Sequence, residues 1–205
     1  MPDTDEIAAR LREKARPFSR FMIGIAGPPA SGKSTMADRL RDALKAQGES
    51  AIAVPMDGYH FDDAVLNARG HRARKGAPYT FDVNGFAHLL KRIKAGEADV
   101  AIPVFDRSME LSRAGADTIS ADVKFIVVEG NYLLLQQPGW AALKPLFDYT
   151  IFLKVPEAEL YKRLMDRWHS FNFTEERARA WIESNDLPNI RTVQSESATA
   201  DLVIE

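Results

Sequence analysis

Eight consecutive residues, Gly27-Pro28-Pro29-Ala30-Ser31-Gly32-Lys33-Ser34, match a glycine, any four residues, a second glycine, a lysine and a hydroxyl side chain. A chance match in a chain of this size is on the order of one per cent. The chemistry of that pattern is phosphate binding. Gly27 and Gly32 allow backbone angles and close approach that a Cβ would block. Successive amide N–H groups then turn inward and hold phosphate oxygens at the start of a helix. Lys33 brings a point charge to the outer phosphates, and the hydroxyl of Ser34 is a ligand for Mg²⁺. Thr35 continues the segment.

Two carboxylates extend this chemistry. Asp57 lies in Met56-Asp57-Gly58-Tyr59-His60-Phe61. A carboxylate at that place can take the proton of an attacking hydroxyl, so Asp57 is the candidate base. The plain alternative is a turn aspartate before Gly58. Glu129 ends an apolar run and is expected to hold Mg²⁺ with Ser34. Arg163 and Arg167 are four residues apart and share a helix face. They are candidates to close over the phosphates and stabilise charge in the transition state. The spacing does not choose between them.

The elements that must position these groups follow from periodicity. A short helix is expected at about 4–15, ending before Pro17. Phe21 to Ala26 is a continuous apolar run, as expected of a strand buried on both faces. Met36, Leu40 and Leu44 recur at helical spacing after the glycine-rich turn, with Gly48 as a stop. Further strands are expected at Ala51–Pro55, 100–105, 125–128, 149–155 and 202–204. Asp82 can cap a helix carrying Phe86, Leu89, Leu90 and Ile93. Pro156 starts a helix with Leu160, Leu164 and Trp168, and Thr174 caps another through Ile182. Strands alternating with helices predict an α/β fold with a parallel sheet and right-handed crossovers. The stretches 57–81 and 106–121 read as irregular polar loops over the carboxyl ends of the strands, where ligand sites form in such folds. His71, Arg72, Arg74 and Lys75 read as a solvated loop, and Trp140, Trp168 and Trp181 as packing residues.

The bulk properties exclude several classes. The 205 residues suit a single domain, 1–205, and 45% hydrophobic residues can bury a sizeable core. A net charge of −2 argues against nucleic acid as a partner. Without cysteine there is neither a disulfide nor a thiolate metal site, which suits a cytoplasmic protein. The charged stretch 1–14 lacks the apolar core of a signal sequence, and no apolar run is long enough for membrane insertion. A monomer and a homodimer are both compatible with the sequence.

The sequence resembles the phosphoribulokinase/uridine kinase family of P-loop kinases, and within it the bacterial proteins named as fructose-transport-system kinases, relatives of pantothenate kinase. The resemblance rests on Gly27 to Thr35, Met-Asp-Gly-Tyr-His at 56–60, Arg-Lys-Gly-Ala-Pro at 74–78, Pro-Val-Phe-Asp-Arg at 103–107 and Val-Glu-Gly-Asn-Tyr-Leu-Leu at 128–134. It implies the three-layer P-loop NTPase fold: a five-stranded parallel sheet in the order 2-3-1-4-5, flanking helices and a helical lid at about 160–190. It implies ATP and Mg²⁺ as cofactors and a small-molecule hydroxyl acceptor held by loops 57–81 and 103–121. It places acceptor contacts at Tyr59, His60, Phe105, Asp106 and Arg107, and a nucleotide contact at Asn189. Uridine kinases carry a tyrosine, an aspartate and then a histidine-arginine pair in the acceptor segment. Phe105-Asp106-Arg107-Ser108-Met109-Glu110 departs from this. A sugar, as in a fructose kinase, is therefore the first expectation. A nucleoside or pantothenate kinase, or a nucleotide-dependent regulatory ATPase associated with transport, are the alternatives.

Overall fold

The computed structural model describes residues 3–205; Met1 and Pro2, the start of the expected 1–205 unit, lie outside the described residues. In chain order the elements are α1 (Thr4–Lys14), β1 (Phe21–Ala26), α2 (Lys33–Ala46), β2 (Ala51–Pro55), α3 (Asp63–Ala68) and α4 (Val83–Lys94). There follow β3 (Val100–Asp106), β4 (Leu111–Ile119), β5 (Phe125–Gly130) and β6 (Tyr149–Leu153). The chain closes with α5 (Glu157–Ser170), α6 (Glu175–Trp181), a π-helical turn (Ile182–Asp186), α7 (Leu187–Glu196) and β7 (Leu202–Ile204).

Five strands form one sheet in the order β2-β5-β1-β6-β7, all in parallel. Counted within the sheet alone, this is the expected 2-3-1-4-5. β1 is buried throughout, and its side chains divide by the two-residue period of a strand. Phe21, Ile23 and Ile25 enter one apolar layer with Leu11 of α1 and Leu40 and Leu44 of α2. Met22 and Ala26 enter the other with Phe86, Leu90 and Ile93 of α4. A third, smaller cluster of Leu160, Leu164, Ile182 and Ile190 holds α5, the π-turn and α7 together as the lid. Among the described residues no helix is long and apolar enough to cross a membrane.

Three expectations need correction. The stretch 57–81 is not irregular throughout, since it carries α3 at Asp63–Ala68. The strand at 100–105 is present but outside the parallel sheet, and 106–121 is not irregular: β3 and β4 pair as an antiparallel hairpin. β4 is exposed over most of its length, so no apolar alternation marks it, and backbone pairing alone defines it. The third is α7, which runs on directly from α6 and the π-turn; Pro188 near its start hid it, since a proline has no N–H to give the carbonyl four residues back.

Arg20 fixes the root of the hairpin. Its guanidinium, 7% exposed, donates to the carbonyls of Ile93, Ser120, Ala121 and Val123. One side chain thus ties the end of α4 to the end of β4 and the approach to β5.

Candidate active site

The turn between β1 and α2 closes on its own lysine. Gly32 takes φ = 93°, in the left-handed region that favours glycine. Lys33 opens α2 and is 7% exposed, and its Nζ donates to the Pro28 carbonyl at 2.9 Å. Burial pulls its pKa down to about 8, against the pull of Glu129 and Asp57. This ammonium lacks water and full counter-charge, so incoming phosphate oxygens would relieve it.

Asp57 sits in a 3₁₀ turn, Met56–Tyr59, directly after β2. Gly58 is required there, since a Cβ would overlap the Pro103 carbonyl of β3. The turn is thereby pressed under the hairpin, and Arg107 at the hairpin tip donates from Nη2 to Asp57 Oδ2 at 2.8 Å. Glu129, at the end of β5, is 8% exposed and accepts from Ser34 Oγ at 3.1 Å. Burial, followed by the charge of Asp57, raises its pKa to about 7; Lys33 and Ser34 oppose the shift. Lys33, Ser34, Asp57, Arg107 and Glu129 line one cavity of about 830 Å³. The hydroxyl of Ser34 and the carboxylate of Glu129 are hard oxygen donors of the kind Mg²⁺ takes, so the residues fit that cation.

The other expected site residues divide. Pro29, Ala30, Gly32 and Thr35 also line the cavity, as do His60 and Phe105. Gly27, Pro28 and Ser31 shape the loop without lining it. His60 Nδ1 donates to the Asp57 carbonyl at 2.9 Å, and its ring lies between Phe81 and Phe105. Burial lowers its pKa, so it is a neutral, positioned ring. Tyr59 and Asp106 are not in the cavity lining. The Tyr59 ring packs on Phe86, 5.1 Å between centroids, because the turn directs it into the α4 layer. Asp106 caps the hairpin turn, accepting from the Ser108 amide and hydroxyl. Asn189 lines the cavity from the lid, buried, and its Oδ1 accepts from Arg74.

Two features differ from the sequence expectation, and a third bears on a choice that the spacing left open. Trp168 and Trp181 line the cavity, with Phe171 and Phe173 beside them; of the three tryptophans, Trp140 alone is pure packing, at 3% exposure. Trp168 also donates from Nε1 to Asp186 at 2.8 Å. The Arg72–Lys75 segment is docked, not solvated: the Lys75 side chain is 7% exposed and pairs with Asp63 and Glu110. Neither feature shows in local sequence, because both depend on the lid folding back over the 57–81 segment. The third concerns the two lid arginines, which are not equivalent. Arg163 is exposed and paired with Glu159 at 2.8 Å. Arg167 makes no hydrogen bond or ion pair among the described residues; its guanidinium lies 5.6 Å from the Trp168 ring centroid. Burial and the charge of Arg107 lower its pKa.

With this geometry in place, similarity to known proteins adds independent information. A family model described as an AAA domain matches residues 23–180. The uncharacterized protein YggC of Escherichia coli is 32% identical, over 94% of this chain and 81% of its own length. A protein of Schizosaccharomyces pombe, provisionally named uridine kinase C227.14, is 31% identical over 98% of this chain and 89% of its own. The crystal structure of a protein from Silicibacter sp. TM1040, provisionally assigned as a fructose transport system kinase, superposes over the whole of both chains with a TM-score of 0.95 and 38% identity.

Proposed function

The chain belongs to the phosphoribulokinase/uridine kinase family of P-loop kinases, and on that premise we propose that it transfers the γ-phosphoryl group of ATP to a hydroxyl of a small sugar or polyol. Its chemistry as a nucleotide-binding kinase acting on hydroxyl acceptors is that of its relatives. The acceptor and the roles of individual residues are our reading, as are action as one unit over 1–205 and in the cytoplasm. The single observation that carries it is the meeting of Asp57 and Arg107 opposite Lys33 and Glu129 in one cavity.

In this reading Lys33 and Arg167 hold the phosphate oxygens and offset the charge that develops on them. Asp57 accepts the proton of the acceptor hydroxyl as the new O–P bond forms. The bond from the γ-phosphorus to the bridging oxygen breaks, and that oxygen leaves with ADP. Arg107 orients the Asp57 carboxylate until the hydroxyl takes its place. Mg²⁺ held at Ser34 and Glu129 would neutralise phosphate charge. His60, Phe105 and Arg107 contact the acceptor. The polar groups Asp57, Arg107 and Glu110 around the cavity favour an acceptor with several hydroxyls. The aromatic wall of Trp168, Phe171, Phe173 and Trp181 supports a second reading, a nucleoside or pantothenate acceptor. Purified protein with ATP and Mg²⁺, assayed against hexoses, polyols, glycerate, nucleosides and pantothenate, tests both. Phosphorylation of a sugar or polyol is expected, and turnover confined to nucleosides or pantothenate replaces the first reading with the second. ATP binding without transfer to any of them counts against a kinase.

The site also predicts a pH dependence. Glu129 must lose its proton to hold a cation, and its pKa is about 7. The apparent affinity for Mg²⁺·nucleotide is expected to fall about tenfold per pH unit below pH 7 and to level off above it. Glu129→Gln should remove that dependence. The same shift acts on stability with a definite sign. A carboxyl raised from 4.5 to about 7 favours the folded state below its unfolded pKa, and that contribution is lost as pH rises through 7. The metal-free protein should therefore melt at a lower temperature at about pH 7.5 than at about pH 6, with Glu129→Gln flattening the difference.

A further inference from the structure

Three successive residues in the acceptor loop are each fastened to a different wall of the cavity. Arg74 reaches the lid: Nη1 donates to the Ser184 carbonyl and Nη2 to Asn189 Oδ1 at 3.2 Å. Lys75 reaches α3 and the hairpin, donating to Asp63 at 2.7 Å and to the Glu110 carbonyl at 2.9 Å. Its own carbonyl accepts from Asn185 Nδ2 of the lid at 3.0 Å. Gly76 reaches the turn after β5, its carbonyl accepting from the hydroxyl of the fully buried Tyr132 at 2.6 Å.

The lid end of this fastening has a cause in the sequence. In an α-helix the Ser184 carbonyl would accept from the N–H of residue 188, but that residue is Pro188 and has none. The chain passes through a π-turn at Ile182–Asp186 at this point, a feature often found at functional sites. Residue 188 can give the Ser184 carbonyl no α-helical donor, and Arg74 supplies a charged one from the acceptor loop.

We propose that Arg74 is a positioning residue that makes the lid and the acceptor loop one moving body, so that closure of the lid on nucleotide assembles the acceptor site in the same event. Arg74 does not line the cavity, whereas its neighbours Arg72, Lys75 and Gly76 do. It therefore acts through them. The inference rests on the kinase reading for its consequence but not for its test.

Hydrogen exchange with Mg²⁺·AMPPNP as the probe decides it. In the wild-type protein, nucleotide is expected to slow exchange at 160–190 and at 72–80 together. In Arg74→Met the slowing should persist in the lid and fall to within about twofold of the nucleotide-free rate at 72–80. Pro188→Ala leaves Arg74 in place but gives the Ser184 carbonyl a helical donor, so it should weaken the gain at 72–80 in the same direction. It keeps the test available if Arg74→Met does not fold. Arg74→Lys, which keeps the charge and loses the fork, should restore part of the gain. Once an acceptor is in hand, Arg74→Met should raise its KM about tenfold or more with the KM for ATP nearly unchanged. The proposal is overturned if nucleotide slows only the lid in the wild-type protein, or if the gain at 72–80 survives the variants that fold. Lost coupling in a protein that phosphorylates no acceptor would sink the kinase reading and leave this one standing.

Discussion

Replacing Asp57 with asparagine is expected to lower phosphoryl transfer by roughly 10²–10⁴-fold while nucleotide affinity stays nearly unchanged, the usual worth of a general base. Asparagine keeps the shape of the side chain and can still accept the hydrogen bond that Arg107 now gives Asp57. It cannot take a proton at neutral pH. The loss should fall on kcat, since the proposed mechanism assigns the nucleotide to other residues: Lys33, the loop amides and the lid. Transfer rates with the acceptor found by the panel, beside direct titration of nucleotide, separate the two. An ATPase that serves only as a regulator has no acceptor proton to remove, and its slow hydrolysis would be little affected. Asp57→Asn therefore distinguishes a kinase from a switch more sharply than any binding measurement.

Arg167→Met is expected to cost roughly 10²–10³-fold in kcat, the range for losing one group that stabilises developing charge in a water-poor site. Arg163→Met should cost about tenfold or less, because an exposed ion pair such as Arg163–Glu159 is worth little. The contrast follows from what each guanidinium already touches. Arg163 has a carboxylate partner, solvent and a long bond, 3.4 Å, to the Ala30 carbonyl. Arg167 is largely removed from water, repelled by Arg107, and without a hydrogen-bonding partner among the described residues. An anionic phosphoryl group would relieve all three conditions, most strongly when its charge is greatest. A larger loss at Arg163 than at Arg167 in parallel kcat measurements would reverse the assignment.

How much of this was legible in the chain depends on how local each feature is. The glycine-rich loop, its strand and its helix are contiguous, so the phosphate site could be read directly from residues 21–46. Asp57 and Glu129 were legible for the same reason, each closing an apolar strand of a parallel sheet, whose carboxyl ends share one edge. Tyr59 and Asp106 carry side chains that could bind an acceptor equally well. One is claimed by the packing of α4, far along the chain, and the other by Ser108 only two residues on, in a hairpin turn that the unmarked strand β4 kept hidden. The hairpin strand at 111–119 was hidden because exposure removes the apolar alternation on which strand reading relies.

By itself, then, the sequence determined the parts whose physics is short-range: the phosphate loop, the buried strands, the caps and the acids at strand ends. The resemblance supplied the order of those strands. Only the tertiary structure decided which lid arginine has no hydrogen-bonding partner among the described residues, that Trp168 and Trp181 face the cavity, and that residues 72–75 are docked rather than solvated. These outcomes depend on contacts between segments more than a hundred residues apart, such as Arg74 with Ser184 and Asn189. The strength of a charge or a hydrogen bond depends on what else has removed the water around it. That removal is a property of the folded whole and is written at no single position in the chain.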